Sequence, residues 1–151
     1  MADVLDVAQY ILKRRGPMTT WKLQKLVYYC QAWSLVWDEE PLFPDKIEAW
    51  ADGPVVRRLY DIHRGKFRIS RINGAVPSRL NSTQRETIDA VLEGYGDKSS
   101  AWLRDATHSE KPWRDARRRA GLSAGERGNA VISVDAMVQY YGGLGQEKEE
   151  E

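Results

Sequence analysis

The apolar positions of the chain follow helical spacing over most of its length. The clearest stripe begins after Thr19 or Thr20, either of which suits a helix N-cap, and repeats at i, i+3, i+4 and i+7 through residues 23–30. It continues to Trp37, and apolar residues occupy more than one face of the segment, which indicates burial on several sides. We therefore expect a central helix at about residues 19–37, with the rest of the chain packed around it.

Shorter helical stripes precede and follow the central helix. Asp3 is a suitable N-cap for a first helix, and Gly16-Pro17 is suited to end it. Thr83 and Glu86 have the spacing of a capping box, which predicts the start of a later helix. Three further helices are predicted to begin near Ser99, Pro112 and Ser133.

Strand patterns are short and few. Residues 47–51 alternate between two faces, which predicts a short strand. The following Asp52-Gly53-Pro54 predicts a corner from this strand into a helix, with Pro54 at the first helical position. Residues 64–80 predict an edge strand or an extended loop, and residues 130–133 a further strand. The fold expected is mostly α with a few short β-strands, an α+β class dominated by helices.

Size and charge set the broad class of the protein. A chain of 151 residues fits one compact domain, and 23 basic against 22 acidic residues leave a net charge of +1. This balance argues against a surface devoted to nucleic acid. No apolar run approaches the roughly 20 residues of a membrane span, and a single cysteine, Cys30, cannot form an internal disulfide. We therefore expect a cytoplasmic protein.

The last residues differ from the rest in composition. Glycine, glutamate and lysine dominate them, and such residues bury too little apolar surface to order a chain. We expect a folded domain over residues 1–142 and a flexible acidic tail over residues 143–151.

Candidate catalytic and cofactor sites are weak. His63 and His108 are the only histidines, and no close spacing of His and Cys offers a zinc site. Cys30 falls on the apolar stripe, which indicates a buried and inert thiol. The turn at Asp52 has one glycine, a carboxylate that repels anions and a proline that lacks an N–H, so it does not suit phosphate. No catalytic residue, metal ligand or cofactor is predicted from these residues.

Aromatic and basic residues are more informative. The chain has six Trp and seven Tyr against two Phe. This composition favours a surface that binds a partner, while any single Trp is more often part of the core. Basic residues concentrate in residues 64–71 and again in residues 114–119. The arginines of the second cluster, which are Arg114, Arg117, Arg118 and Arg119, are expected to point largely outward. Each cluster fits a solvated face, a contact for an acidic protein or, less well, a contact for nucleic acid.

Several phrases, in the same order, resemble the Panacea domain, the family of SocA-type antitoxins and their phage-associated relatives. The likeness covers about residues 4–142. The matching segments are Lys22-Leu23-Gln24-Lys25-Leu26, Tyr28-Tyr29, Gln31-Ala32-Trp33, Glu48-Ala49-Trp50, Gly53-Pro54-Val55-Val56, and Ser109 with Pro112-Trp113.

The resemblance implies an antitoxin of a bacterial or phage type II toxin–antitoxin system, and so a protein that is not an enzyme. Such a protein neutralises a toxin encoded by a neighbouring gene, mainly through direct protein–protein binding. One branch of the family resembles an adaptor that delivers its toxin to a Clp-type protease, which is the alternative function. A nucleic-acid-binding regulator is a further and weaker alternative.

Contact residues are expected among exposed Trp and Arg side chains, because these types concentrate binding energy. We predict toxin contacts at Trp21, Trp50, Arg68 and Arg71. The remaining motif positions are expected to shape the scaffold. They are Leu23, Gln24, Lys25, Leu26, Tyr28, Tyr29, Gln31, Trp33, Gly53, Pro54, Pro112 and Trp113.

Overall fold

A computed structural model describes the backbone of residues 2–150 and the side chains of residues 2–144. Helices dominate this part of the chain, as the sequence predicts. They are α1 (Val4–Arg15), α2 (Thr20–Trp37), α3 (Arg57–His63), α4 (Ser82–Tyr95), α5 (Ser100–Ser109), α6 (Lys111–Arg119) and α7 (Val134–Glu150). The strands are β1 (Met18–Thr19), β2 (Ile47–Trp50), β3 (Gly53–Val55), β4 (Arg68–Ile69) and β5 (Val131–Ile132).

Helix α2 is the centre of the fold. The Thr19 hydroxyl caps it by accepting a hydrogen bond from the Lys22 N–H at 3.2 Å. Helices α1, α4, α5 and α7 and strand β3 all pack against it. Buried residues therefore occur on every side of the helix, as its broad apolar pattern predicts. Cys30 is one of them, and burial raises the pKa of its thiol, which keeps it protonated.

The caps of the outer helices are partly as predicted. Asp3 caps α1 in a capping box with Asp6. The box at α4 is formed by Asn81 and Gln84, so the predicted pair of Thr83 and Glu86 is wrong. Asn81 has the extended backbone that an N-cap needs, whereas residue 83 already lies within the helix.

Strands β2 and β3 form a hairpin, and this corrects the predicted corner into a helix. Trp50 pairs with Gly53 and Ala49 with Pro54, so Pro54 lies in β3 and α3 begins only at Arg57. Because β3 is an edge strand, the missing N–H of Pro54 is tolerated there. Ala49 instead donates its N–H to the Ala130 carbonyl at 2.7 Å, beside β5.

A second strand pairing involves residues 64–80, the segment predicted to form an edge strand or an extended loop. Strand β4 lies antiparallel to β1, with Met18 opposite Ile69 and Thr19 opposite Arg68. Thr20 extends this contact by donating its N–H to the Phe67 carbonyl at 3.0 Å. The irregular stretch before α4 is thereby fixed to the start of α2.

Helix α7 completes the core. Its Met137 and Tyr141 are buried against α2 and α6. The helix reaches Glu150 and so includes most of the residues predicted to form a tail, but the side chains beyond Leu144 lie outside the described residues. The flexibility of residues 143–151 stays a prediction. Within the described residues, no helix combines the length and the apolar character that crossing a lipid bilayer requires.

Candidate partner-binding groove

A groove of about 800 Å³ opens beside the β2–β3 hairpin. The first turn of α2, the helix α3 and the end of α5 form its sides, together with the loop that joins α6 to β5. Its aromatic lining residues are Trp21, Trp50, Tyr60 and Trp113, and its basic ones are Arg57, Arg104 and Arg127. We call it the aromatic groove.

The aromatic side of the groove is held by hydrogen bonds and ring contacts. Trp113 donates its Nε1–H to the Trp50 carbonyl at 2.8 Å. The Trp50 ring meets Tyr60 edge to face, with 4.7 Å between centroids, and the His108 ring stacks on Trp113 at 3.8 Å. These half-buried rings therefore keep a defined arrangement without a partner.

Two of the groove arginines have acidic neighbours. Arg57 lies over the Trp50 ring and donates to the Glu48 carboxylate at 3.1 Å. Glu48 also accepts a hydrogen bond from Trp50 Nε1 at 2.8 Å, so it fixes both side chains. Arg104 lies 3.8 Å from Asp52, a distance typical of a loose surface ion pair.

Arg127 differs from them. Its side chain is exposed, and within residues 2–144 no carboxylate oxygen lies within 4 Å of it. It therefore presents an uncompensated positive charge at the loop side of the groove.

A buried lysine lies behind the groove. Lys25 is only 2% exposed, and its Nζ donates to the Trp21 carbonyl at 3.4 Å and lies 5.6 Å from the Trp21 ring centroid. No described carboxylate comes within 4 Å of it. Burial lowers the pKa of Lys25 to about 8, against an opposing effect of the Asp52 charge. At neutral pH Lys25 is thus mostly charged although it is buried.

The two histidines are more buried than a capping or surface role requires. His63 lies in the core, where its Nε2 is 3.0 Å from the Gln24 amide nitrogen, and burial lowers its pKa. The buried Nε2 of His108 has no hydrogen-bond partner in the described structure, and burial lowers its pKa as well. Both rings are therefore neutral at pH 7.

Arg117 was expected to point outward from α6, and this expectation is wrong. The side chain is 4% exposed and donates to the carbonyls of Ala49, Ser123 and Glu126. Its guanidinium also lies over Trp113. Because a guanidinium has five donors, one side chain can join β2 to the α6–β5 loop. Arg117 thereby holds the loop side of the groove in place.

The structure brings together two of the four predicted contact residues. Trp21 and Trp50 both line the aromatic groove. Arg68 and Arg71 are exposed but lie in and after β4, where Arg68 reaches the Pro17 carbonyl, and neither lines the groove. The groove arginines Arg57, Arg104 and Arg127 were missed, because only the folded chain brings them beside Trp21 and Trp50.

The side-chain amides of the motif glutamines form hydrogen bonds with backbone groups inside the core. The Gln24 amide accepts from the Val56 N–H at 2.9 Å and donates to the Val56 carbonyl at 3.3 Å. Gln31 accepts from the N–H of Leu42 and donates to the carbonyl of Phe43. Each glutamine so fixes a chain segment against α2 and satisfies backbone groups that water cannot reach.

The motif tyrosines converge on one carboxylate. Tyr29 and Tyr141 both donate to Glu110 Oε1, at 2.7 and 2.8 Å, and the hydroxyls of Tyr28 and Tyr141 are 2.9 Å apart. Burial raises the pKa of Glu110. The cluster joins α2 and α7 at the junction between α5 and α6.

The other motif positions are buried or close to it. Leu23 and Leu26 are fully buried on α2, and Trp33 donates its Nε1–H to the Tyr95 hydroxyl at 3.2 Å. Gly53, Pro54 and Pro112 are also buried, while Trp113 is half-buried. Among the described residues, no group of three or more His, Cys, Asp or Glu side chains could hold a metal ion.

A family model described as antitoxin SocA-like, Panacea domain, matches residues 23–114. The chain belongs to this family. The match includes α2 from Leu23 onward, the β2–β3 hairpin and the groove residues Trp50 and Trp113 of this Panacea-domain protein, and it supports an antitoxin role. Trp21 and the α6–β5 loop lie outside the matched residues. No curated protein and no solved structure matches the chain.

Proposed function

We propose that this Panacea-domain protein neutralises a protein toxin, encoded by a neighbouring gene, by binding it directly in the cytoplasm as part of a type II toxin–antitoxin system. The observation that carries the proposal is the aromatic groove. It presents three tryptophans, a tyrosine and three arginines on one side of the molecule. Trp, Tyr and Arg are the side chains that most often dominate the energy of protein interfaces.

The rigidity of the groove favours tight binding. Association loses free energy wherever side chains must be ordered, at roughly 0.5–1.5 kcal/mol for each immobilised side chain. Trp50, Trp113 and Arg57 are already held by the Trp50 carbonyl and by Glu48. Much of that loss is therefore avoided when the partner arrives.

Occlusion is the mechanism that this arrangement supports. The toxin surface that docks in the groove is covered by the antitoxin, whether it serves catalysis or membrane targeting. Neutralisation then lasts as long as the complex does and requires no chemical step by the antitoxin, which acts as a binding protein and not as an enzyme.

Co-expression with the product of the adjacent reading frame tests the proposal. We expect growth to be restored and the two proteins to purify together through a tag on either one. Restored growth with no complex and an unchanged toxin level would show that direct neutralisation is wrong. Loss of the toxin only in cells that contain a Clp protease would instead favour delivery for degradation.

A further inference from the structure

We infer that the aromatic groove binds an acidic segment of the toxin, with its carboxylates near Arg104 and Arg127 and an apolar side chain against Trp50 and Trp113. This inference rests on the proposed function and adds the chemistry of the bound segment. It follows from the charges around the groove, the unpaired cations among them and the aromatic wall beside them.

The charge of the groove is local. Three of the lining residues are cations, Arg57, Arg104 and Arg127, and one is a carboxylate, Asp52. The buried Lys25 lies behind this lining, and Glu48 pairs with Arg57. The chain as a whole has a charge of only +1. An electrostatic preference for an anion therefore belongs to this surface and not to the molecule in general.

Two of these cations lack a close counter-charge. Arg127 is exposed and has no described carboxylate within 4 Å, and the same holds for the buried Lys25. Buried charges in folded proteins are normally paired, because an unpaired one loses its hydration without compensation. A carboxylate that enters the groove beside Trp21 would supply the missing counter-charge to Lys25.

Asp52 lines the groove next to Gly53, the residue that Lys25 packs against. Its charge raises the pKa of Lys25, although burial lowers that pKa more. A toxin carboxylate at a similar depth would act on the ammonium in the same way. The positive charge of Lys25 thus contributes to binding from behind the Trp21 ring.

The aromatic side explains why the bound segment also needs an apolar residue. Trp50, Tyr60 and Trp113 are half-buried, so each still has ring surface to lose to a partner. Burying apolar surface contributes roughly 25 cal/mol per Å², and the rings offer it next to the cations. A segment with both an acidic and an apolar side chain satisfies the two sides of the groove together.

A protein segment fits this site better than a nucleic acid. Nucleic acids are bound by an extended basic surface that follows many phosphates. The cations of the groove are confined to one cavity of about 800 Å³, which also contains the carboxylate of Asp52. The groove has the dimensions and the mixed charge that suit a short stretch of protein.

Charge reversal in the groove tests the inference. In the full chain, the double variant Arg104→Glu/Arg127→Glu changes two exposed side chains, of which Arg104 forms only a loose ion pair with Asp52. The probe is the purified product of the adjacent reading frame, titrated by calorimetry. We expect the Kd to rise by about 30-fold or more, the range of interface hot spots, while the thermal transition is retained.

A matched variant separates the groove from overall charge. Lys13→Glu/Lys46→Glu also reverses two exposed lysines, which have no described ion pair and lie away from the groove. We expect its Kd to stay within about threefold of the wild type. An equal loss of affinity in both variants would overturn the inference in favour of a general charge effect. A loss confined to Arg68→Glu/Arg71→Glu would assign binding to the β4 segment instead.

Hydrogen exchange of the toxin in the complex identifies the bound segment. We expect the protected stretch to contain at least one Asp or Glu, and its replacement by Lys to restore binding to the Arg104→Glu/Arg127→Glu chain. A protected stretch without an acidic residue would refute the inference. Tight binding of single-stranded RNA that weakens steeply with salt, together with loss of that binding in the groove variant, would also refute it. If the wild-type chain fails to bind the toxin at all, the proposed function itself fails.

Discussion

The side chain of Lys25 lies directly against the α-carbon of Gly53. A methyl group on Gly53 would be 3.2 Å from Lys25 Cε and 3.6 Å from Thr107 Oγ1, and the backbone at Gly53 has a φ of +136°. Residues other than glycine rarely adopt this backbone conformation. The hairpin, the central helix and α5 therefore meet at a position that only glycine suits.

Gly53→Ala is expected to lower the free energy of unfolding by about 2–4 kcal/mol, because backbone strain and steric contact add. Denaturant titration measures the change. Gly65→Ala is the matched control, since Gly65 has a φ of +83° but no atom within 4 Å of the added methyl group. It should lose only about 1 kcal/mol. Equal losses would show that the contact with Lys25 has no effect on stability.

Lys25→Met should raise stability and weaken toxin binding. The change removes a buried cation and leaves a flexible apolar chain of similar length, so the free energy of unfolding at pH 7 should rise by about 1–3 kcal/mol. Binding should weaken about tenfold, because the positive charge behind Trp21 is lost. Calorimetric unfolding and titration with the toxin provide the two measurements.

The pH dependence of Lys25 gives an independent check. The unfolded chain keeps the lysine proton up to its ordinary pKa of 10.5, whereas the folded chain releases it near pH 8. Between these values the unfolded state binds more protons, so wild-type stability rises with pH relative to Lys25→Met. The stability advantage of Lys25→Met over the wild type should be largest below pH 8 and should disappear by about pH 10.5. A constant difference would mean that the ammonium is not destabilising.

His63 should make the fold sensitive to mild acid. The Gln24 amide is oriented by Val56, so its nitrogen is a donor and His63 Nε2 must accept. Protonation would place two donors face to face, in agreement with the lowered pKa that burial produces. The unfolded chain binds the proton first, near pH 6.5, and stability should fall as the pH drops below this value.

The variant His63→Phe isolates this effect, because it keeps a ring in the core and has no titrating group. Its stability should change less between pH 7 and pH 5 than that of the wild type, as followed by thermal unfolding. Since His108 is present in both proteins, its own titration cancels in the comparison. Identical slopes would contradict the hydrogen-bond assignment at Gln24.

Arg117→Met should loosen the loop side of the groove. The change removes the donors to three carbonyls and should cost about 2–3 kcal/mol of stability, with faster hydrogen exchange across residues 120–130. Arg118→Met is the matched control, because Arg118 is exposed on the same helix and pairs only with Asp115. It should remain within about 0.5 kcal/mol of the wild type. Unchanged exchange in Arg117→Met would show that the loop is held by other contacts.

The helical part of the fold could be predicted because its signals are local. The stripe of α2 and the cap at Thr19 lie within one segment, and periodicity alone identifies them. The corner at Pro54 could not be predicted, because its conformation depends on β2 pairing and on Gln24, which lies 32 residues from Val56. Proline suits both an edge strand and a helix start, and tertiary contacts decide between them.

For the groove as well, residue types could be predicted from the sequence, but spatial contacts could not. Trp21 and Trp50 could be chosen from residue type alone, but their meeting with Arg57 and Arg104 depends on how the hairpin and α5 fold onto α2. Arg117 was expected at the surface, which basic residues usually prefer. It is buried because backbone carbonyls accept its hydrogen bonds, and carbonyl positions are not visible in sequence patterns.

Arg117 holds the α6–β5 loop through the backbone oxygens of Ser123 and Glu126, which almost any residue at those positions would provide. Mutation of the exposed side chains at Ala124 and Arg127 leaves this anchor intact. The exposed side chains on the loop side of the groove can thus vary while the backbone contacts of Arg117 beneath them stay the same. Substitutions in this single loop would therefore alter the proposed toxin contacts without a change of fold.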